Sequence, residues 1–302
     1  MDKSDRVGDQ LSRNPPARTS LASRRLLILD AYDEAGRAAL RRVGASLAGE
    51  LYRRMLARVA PDARLDLIEF SSAAGFALPD GVALGDYDGL LWTGSSMTIH
   101  HDTPAVRRQL ELARAAYRAG VPSFGSCWAA QIAVTAAGGR CERNPLGREF
   151  GLARKIALSE AGRAHPMYRG KPSVFDGLTS HEDHVVELPS SAVVLAGNRV
   201  SPVQAVAVAH ERGSFWAVQY HLEYELVDVA DLSIARQAQL IAQGSLRDEA
   251  DAERWRAELL ALHADPSRAD LRFRLGIDDD VLDPAIRWRE VENWLAAHPP
   301  RR

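Results

Sequence analysis

The sequence predicts an α/β protein: a mostly parallel open sheet covered by helices on both faces, with a helical extension at the C-terminal end. Three observations carry this. Short apolar runs alternate with segments of helical periodicity as far as Gly138-Gly139, as strand–helix–strand units of a parallel sheet do. Beyond those glycines the texture changes to short β-rich runs. From about Leu226 apolar residues return to spacings of three and four, the period of a helix with one buried face.

The elements follow in order. Arg25-Leu-Leu-Ile-Leu-Asp30 is a first buried strand. Leu40, Val43, Leu47, Leu51 and Met55 recur at helical spacing, and Gly44 and Gly49 are the points where that helix can break. Leu65 to Phe70 reads as a second strand and Asp88 to Thr93 as a third. Thr103 caps the next helix with Pro104 at its first position, and Val106, Leu110, Ala113 and Tyr117 form its apolar stripe. Val121 to Phe124 is the fourth strand, leading through a turn at Cys127 into a helix that runs to about Ala137. Strands are then expected at 153–158, 173–178, 184–188, 193–196, 203–209 and 215–220, making the second half of the sheet more antiparallel. Ala252, Trp255, Leu259 and Leu262 mark a later helix, and Asp283-Pro284 opens a last one carrying Trp288, Val291 and Trp294. The organisation expected is a disordered tail at 1–24, a main domain at 25–226 and the helical extension at 227–302.

Composition excludes several classes of function. The chain has 302 residues, 46% hydrophobic and 26% charged, with a formal net charge of -2, which gives no electrostatic reason to expect a nucleic-acid or membrane-surface partner. No apolar run reaches the roughly 18 residues a transmembrane helix needs. The tail lacks an apolar core segment and mixes Ser, Pro, Arg and Asp, so it reads as disordered rather than as a targeting peptide, organelle targeting being the alternative. The only two cysteines, Cys127 and Cys141, have no metal-ligand spacing, and a reduced, cytoplasmic setting follows. There is no Gly-rich phosphate loop ending in Lys-Ser or Lys-Thr, and only three lysines occur. No cofactor is implied.

The chemistry starts at Val121-Pro-Ser-Phe-Gly-Ser-Cys127-Trp-Ala-Ala-Gln131, a cysteine placed between an apolar strand and an Ala-rich helix. Gly125 can relieve a crowded backbone there, and the helix points unpaired N–H groups and its positive end at the sulfur, favouring thiolate. The alternative is that Cys127 is a small buried apolar residue. A thiolate nucleophile needs a base, a group to orient the base, and donors for the oxyanion. Phe215-Trp-Ala-Val-Gln-Tyr220 is a strand ending in His221-Leu222-Glu223; on an extended segment Glu223 can hold one ring nitrogen while the other faces Cys127.

Together, Gly125-x-Cys127-x-x-x-Gln131 and Val218-Gln219-Tyr220-His221-x-Glu223 resemble the class I glutamine amidotransferase family, over about Leu26 to Leu226. Leu91-Trp-Thr93-Gly94-Ser95-Ser96 matches its oxyanion-hole strand end, and Arg148-Glu-Phe-Gly151 with Ser180-His-Glu-Asp-His-Val185 resembles the GMP-synthase-type branch. The resemblance implies a flavodoxin-like architecture and a Cys127, His221, Glu223 triad. It implies that backbone N–H groups of Trp128 and of Gly94 or Ser95 hold the oxyanion, and that Gln131 helps hold the substrate, an amide bridging the helix to a loop being its alternative role. Ala129, Ser95 and Leu222 stand where many relatives have Gly, Gly and Pro; none of these changes removes a reactive group.

The remaining polar clusters have simpler readings. His100-His101-Asp102 reads as a loop flanking the mouth of the site rather than a metal site, His181 and His184 as part of a β-turn near it, and Cys141 as core or strand filler. With no room for an ATP-using synthase domain, the chain is expected to hydrolyse glutamine or a γ-glutamyl small molecule alone, or to pass ammonia to a separate synthase subunit. A γ-glutamyl peptidase with the same triad, and a non-catalytic binding or regulatory module, are the alternatives. The sequence leaves the oligomeric state open.

Overall fold

The computed structural model describes residues 24–300; the expectation of a disordered tail falls, but for Arg24, outside the described residues. β1 (Arg25–Asp30) is buried from its second residue on, as a parallel strand covered on both faces must be. α1 (Glu34–Arg42) starts on Asp33, whose carboxylate accepts from the Gly36 N–H at 2.7 Å. The long helical periodicity breaks at Gly44, which takes a left-handed φ of 72°, and resumes as α2 (Ala48–Val59). Gly49 does not break it. That residue lies inside α2, where a Cβ would stand 2.6 Å from Leu67 Cδ1, and its N–H donates to Asp30 Oδ2 at 2.9 Å.

β2 (Arg64–Glu69) and β3 (Gly89–Trp92) follow. α3 (Pro104–Ala119) has the expected Thr103 cap, its hydroxyl accepting from Val106 N–H at 3.2 Å, and all four residues of the predicted stripe are buried. β4 (Ser123–Ser126) starts two residues later than expected, because the Val121 N–H is still engaged with the Ala116 carbonyl at the end of α3. α4 (Trp128–Ala136) is buried along almost its whole length. Next come β5 (Arg140–Arg143), a strand not expected from the sequence that turns Cys141 inward, then β6 (Glu149–Leu158), α5 (Glu160–Ala164), β7 (Val174–His181), β8 (Asp183–Glu187), β9 (Ala192–Gly197), β10 (Ala205–His210) and β11 (Gly213–Val218).

Nine strands form one sheet in the order β2-β1-β3-β4-β11-β10-β9-β6-β7, while β5 and β8 make a separate antiparallel pair. Pairing is parallel from β2 through β11 and antiparallel from β11 to β7. The antiparallel second half is what the short β-rich runs predicted. Parallel strands ending side by side at β3, β4 and β11 create the crevice at their carboxyl ends where open α/β sheets place function.

The C-terminal part is helical: α6 (Leu226–Ala235), α7 (Gln237–Ala242), α8 (Glu249–Ala264), α9 (Ala269–Leu275), α10 (Asp279–Leu282), α11 (Pro284–Arg287) and α12 (Arg289–Ala297). The expected last helix is thus two helices with a bend at Trp288. α12 fills the sheet: Trp294 lies 5.8 Å, centroid to centroid, from Phe124, and a Cβ on Gly89 would overlap its ring. One apolar core lies between the sheet and α3 and α4, and a second between the opposite face and α2 and α12. A third joins α2 to α6, α8 and α9. Lys171 and Glu290, both buried, pair at 2.9 Å between the sheet and α12. Among the described residues no helix is long and apolar enough to cross a membrane.

Candidate active site

Cys127 sits between β4 and α4 with φ 55° and ψ -98°, a strained conformation for a side chain bearing a Cβ. Its N–H donates to the Val218 carbonyl at 2.7 Å, so the ends of β4 and β11 hold the residue in the turn. Such a strand-to-helix elbow lifts a nucleophile clear of the sheet. The left-handed backbone falls on Cys127 itself rather than on Gly125. Gly125 relieves crowding of another kind: a Cβ there would stand 2.2 Å from the Trp92 carbonyl oxygen and 2.6 Å from Ala129 Cβ.

His221 follows the end of β11, its N–H bonded to the Leu178 carbonyl of β7 at 2.7 Å. Its Nδ1 is 2.7 Å from Glu223 Oε1, and its ring stacks on Tyr224 with centroids 3.9 Å apart. Burial pulls the imidazole toward the neutral form, but the Glu223 carboxylate and the Cys127 sulfur outweigh it, and the His221 pKa is pushed up to about 9. With Nδ1 on the carboxylate, Nε2 is the nitrogen left for proton exchange.

Two further groups extend this chain, neither of which has a catalytic place in the sequence reading. Ser126 Oγ donates to Glu223 Oε1 at 2.9 Å and accepts from Tyr52 OH at 2.8 Å. A serine at the end of an apolar strand is itself a signal, since a buried hydroxyl needs a partner. Tyr52, on α2, carries no such local sign.

Gly94, just beyond β3, lies against both His221 and Cys127: a Cβ there would be 2.9 Å from His221 Cε1 and 3.7 Å from Cys127 Cβ. The loop around it is pinned. Thr93 Oγ1 donates to the Gly94 carbonyl at 2.9 Å and accepts from Ala31 N–H at 3.0 Å. Ser95 Oγ donates to the Ala31 carbonyl at 3.0 Å. Trp128 opens α4, where backbone N–H groups have no partner within the helix, and its indole donates to Gln109 Oε1 at 2.8 Å. Gln131 is buried on the same helix, and its Oε1 has no hydrogen-bond partner among the described residues.

A cavity of about 470 Å³ opens over Cys127, lined also by Ser95, Trp128, Gln131, His181 and Arg236. Of the residues predicted from the sequence, Cys127, Ser95, Trp128 and Gln131 line this space, while Gly94 and the His221–Glu223 pair lie behind Cys127 rather than on its wall. His100 and His101 line its mouth, with His100 Nδ1 3.7 Å from Asp183 Oδ2. His181 ends β7 and bonds Glu149 Oε2 through Nε2 at 2.8 Å and the Asp183 carbonyl through Nδ1 at 2.9 Å. Among the described residues no group of His, Cys, Asp and Glu is arranged to hold a metal ion. Cys141 packs away from the site against Thr135, and burial pushes its thiol up to about 12.

The model of the family described as glutamine amidotransferase class-I matches residues 76–232, the span that holds Gly94, Cys127, His221 and Glu223. The chain belongs to this class I glutamine amidotransferase family. A gamma-glutamyl-L-1-hydroxyisopropylamide hydrolase from Pseudomonas sp is 34% identical over 90% of the chain and 92% of its own length. Gamma-glutamyl peptidase 3 of Arabidopsis thaliana is 28% identical over 48% of the chain, and the match spans 58% of that relative. Among solved structures, a glutamine amidotransferase from Methylobacillus flagellatus superimposes with a TM-score of 0.60 at 16% identity, covering 94% of this chain and 97% of its own. That likeness establishes the amidotransferase fold.

Proposed function

We propose that the protein hydrolyses the γ-amide bond of glutamine or a γ-glutamyl amide through a thioester on Cys127. The observation that carries the reading is the Gly94 strand end lying against both Cys127 and the imidazole that Glu223 holds at 2.7 Å, with Cys127 lining the cavity. The Cys127 sulfur attacks the amide carbonyl carbon, and the new oxyanion is held by the Trp128 N–H and that of Gly94 or Ser95. His221, kept protonated by Glu223, gives its proton to the departing nitrogen as the C–N bond breaks. The imidazole then takes a proton from water, hydroxide adds to the thioester, and the acid leaves as the C–S bond breaks, which restores the thiolate beside the protonated imidazole. Glu223 keeps Nε2 turned to the reaction throughout. All transfers are made by side chains and water, so the route calls for no cofactor.

Acting alone as a hydrolase is the version we favour over delivery of ammonia to a separate synthase subunit. A relative named as a γ-glutamyl amide hydrolase aligns over 92% of its length. The cavity, about 470 Å³, falls in the range of pockets for ligands larger than ammonia, roughly 300–1,000 Å³. We place the activity in a reducing compartment such as the cytoplasm, where Cys127 stays a thiol. The test pairs 6-diazo-5-oxo-norleucine labelling with a panel of glutamine, γ-glutamyl amides and γ-glutamyl peptides. Label on Cys127, absent in Cys127→Ala, with amine released in the absence of any partner protein, is expected. If wild type takes no label and hydrolyses no member of the panel, the catalytic reading is abandoned for a binding module.

A further inference from the structure

One cation in the cavity has no carboxylate partner among the described residues. Arg143 and Arg148 both reach the Glu182 carboxylate at 2.6 Å. Arg236 instead donates only to a neutral oxygen, Ser180 Oγ at 2.7 Å, and among the described residues no carboxylate lies within ion-pair distance of it. It occupies the bend between α6 and α7, with φ -118° and ψ 9°, so the break in the helix turns a long side chain over the crevice. The half-buried guanidinium lines the same cavity as Cys127. Arg148, beside it, is held below the usual guanidinium range by burial and by the Arg236 charge, against the pull of Glu182. Three arginines, Arg143, Arg148 and Arg236, face a space lined by two carboxylates, Glu182 and Asp183, which leaves room for one more anion.

The position fits a particular anion. Ser180 ties Arg236 to the reaction, because its backbone carbonyl is 3.8 Å from Cys127 Sγ while its hydroxyl holds the guanidinium. That path puts the guanidinium on the order of 10 Å or less from the sulfur. A γ-glutamyl group poised for attack has its carbonyl carbon about 3–3.5 Å from sulfur and its α-carboxylate about 5 Å further on, from bonds of about 1.5 Å. A charge-assisted contact of about 2.8 Å then reaches the arginine. Resting on the proposed γ-glutamyl chemistry, we propose that Arg236 receives the free α-carboxylate of the γ-glutamyl group and so selects γ-linked over carboxylate-lacking acyl donors. The residue lies outside the span matched by the family model, which ends at 232.

The test uses the full chain and two anilides: γ-glutamyl-p-nitroanilide and its counterpart lacking the α-carboxylate, 4-aminobutyryl-p-nitroanilide. In Arg236→Ala, KM for the γ-glutamyl anilide should rise about 10- to 100-fold, the worth of a charged hydrogen bond, with kcat within about threefold. The preference for γ-glutamyl over 4-aminobutyryl, measured as a ratio of kcat/KM, should collapse by the same factor. Arg236→Lys, which keeps the charge and loses the fork, should restore part of it. Melting curves on each variant check that the fold is retained. A wild type that hydrolyses the γ-glutamyl anilide, with an unchanged preference in Arg236→Ala and Arg236→Lys, overturns the assignment of Arg236 alone. Equal loss on both anilides also overturns it, since that marks a structural role. If wild type acts on neither anilide nor on glutamine, the γ-glutamyl reading fails, and this one with it.

Discussion

Gly94→Ala tests the geometry of the site with the smallest change available, one methyl group. The backbone at Gly94 is not left-handed, so alanine is not excluded by φ, and what matters is where the Cβ goes. It would stand 2.9 Å from His221 Cε1. Ordinary carbon contacts lie at about 3.5–4.0 Å, so the ring or the loop must yield by about 0.6 Å or more. The ring cannot retreat freely, because Tyr224 is stacked behind it at 3.9 Å and Glu223 holds Nδ1 at 2.7 Å. The loop cannot either, because Thr93 and Ser95 bond it to Ala31. Overpacking of this kind costs about 1–3 kcal/mol of stability, and a displacement approaching 1 Å at reacting groups costs about 100-fold in rate. We therefore expect Gly94→Ala to fold, to melt several degrees lower, and to lose roughly two decades of kcat/KM on γ-glutamyl-p-nitroanilide. That loss is about 2.7 kcal/mol of transition-state stabilisation. A variant with kcat/KM within threefold of wild type would falsify the contact between this strand end and the imidazole.

Five other outcomes are expected. Ser126→Ala removes the hydroxyl that donates to Glu223 and should lower kcat by about tenfold or more, as loss of a charged hydrogen bond does; Tyr52→Phe should cost less, and a double-mutant cycle should show the two coupled. The wild-type rate should fall above about pH 9, where His221 gives up the proton it owes the leaving group, and Glu223→Gln should move that alkaline limb to lower pH. The stability linkage has the same sign: since the folded pKa lies above the ordinary 6.5, the contribution is full below about 6.5 and disappears as pH rises through about 9; denaturant titrations of wild type and Glu223→Gln across this window should diverge at the acid end only. Trp294→Ala should destabilise the whole protein by about 3–5 kcal/mol in denaturant, because its ring fills the space above Gly89 and Phe124. Lys171→Met should cost a similar amount by stranding the buried Glu290 carboxylate, whereas replacing both partners should recover much of the loss.

What could be read in the sequence is local in origin. Burial on both faces makes β1 a continuous apolar run, and the Thr103-Pro104 start of α3 depends on neighbours three residues apart. The arrangement proposed as the triad was legible for a similar reason: Cys127 and His221 each stand just beyond a strand, and Glu223 is two residues from its histidine. Where the sequence misleads, a contact from afar decides. Gly49 and Gly44 look alike as helix breakers, yet Gly49 is required by Leu67 on β2. The last helix bends at Trp288 although its apolar spacing continues through the bend. β5 is too short and too polar to show as a strand until β8 pairs with it.

The same distinction divides the site itself. The groups proposed to react and the strand ends that hold them lie within residues 76–232, the span matched by the family model, and their arrangement follows from parallel strands ending together. The supports lie outside it. Tyr52 reaches Ser126 from α2, Trp294 braces Phe124 on β4, and Glu290 holds Tyr220, the residue before His221, from α12. Arg236 closes the cavity from the bend between α6 and α7. A chain that kept the proposed triad and changed these helices would keep the proposed thioester chemistry and alter which acyl donor is held against it. Substitutions at Arg236 should therefore move KM while leaving kcat near its wild-type value, and substitutions at Ser126 should do the reverse. Steady-state constants for both sets on one γ-glutamyl substrate decide whether binding and chemistry are separable along this line; a common effect on both constants at both positions would mean they are not.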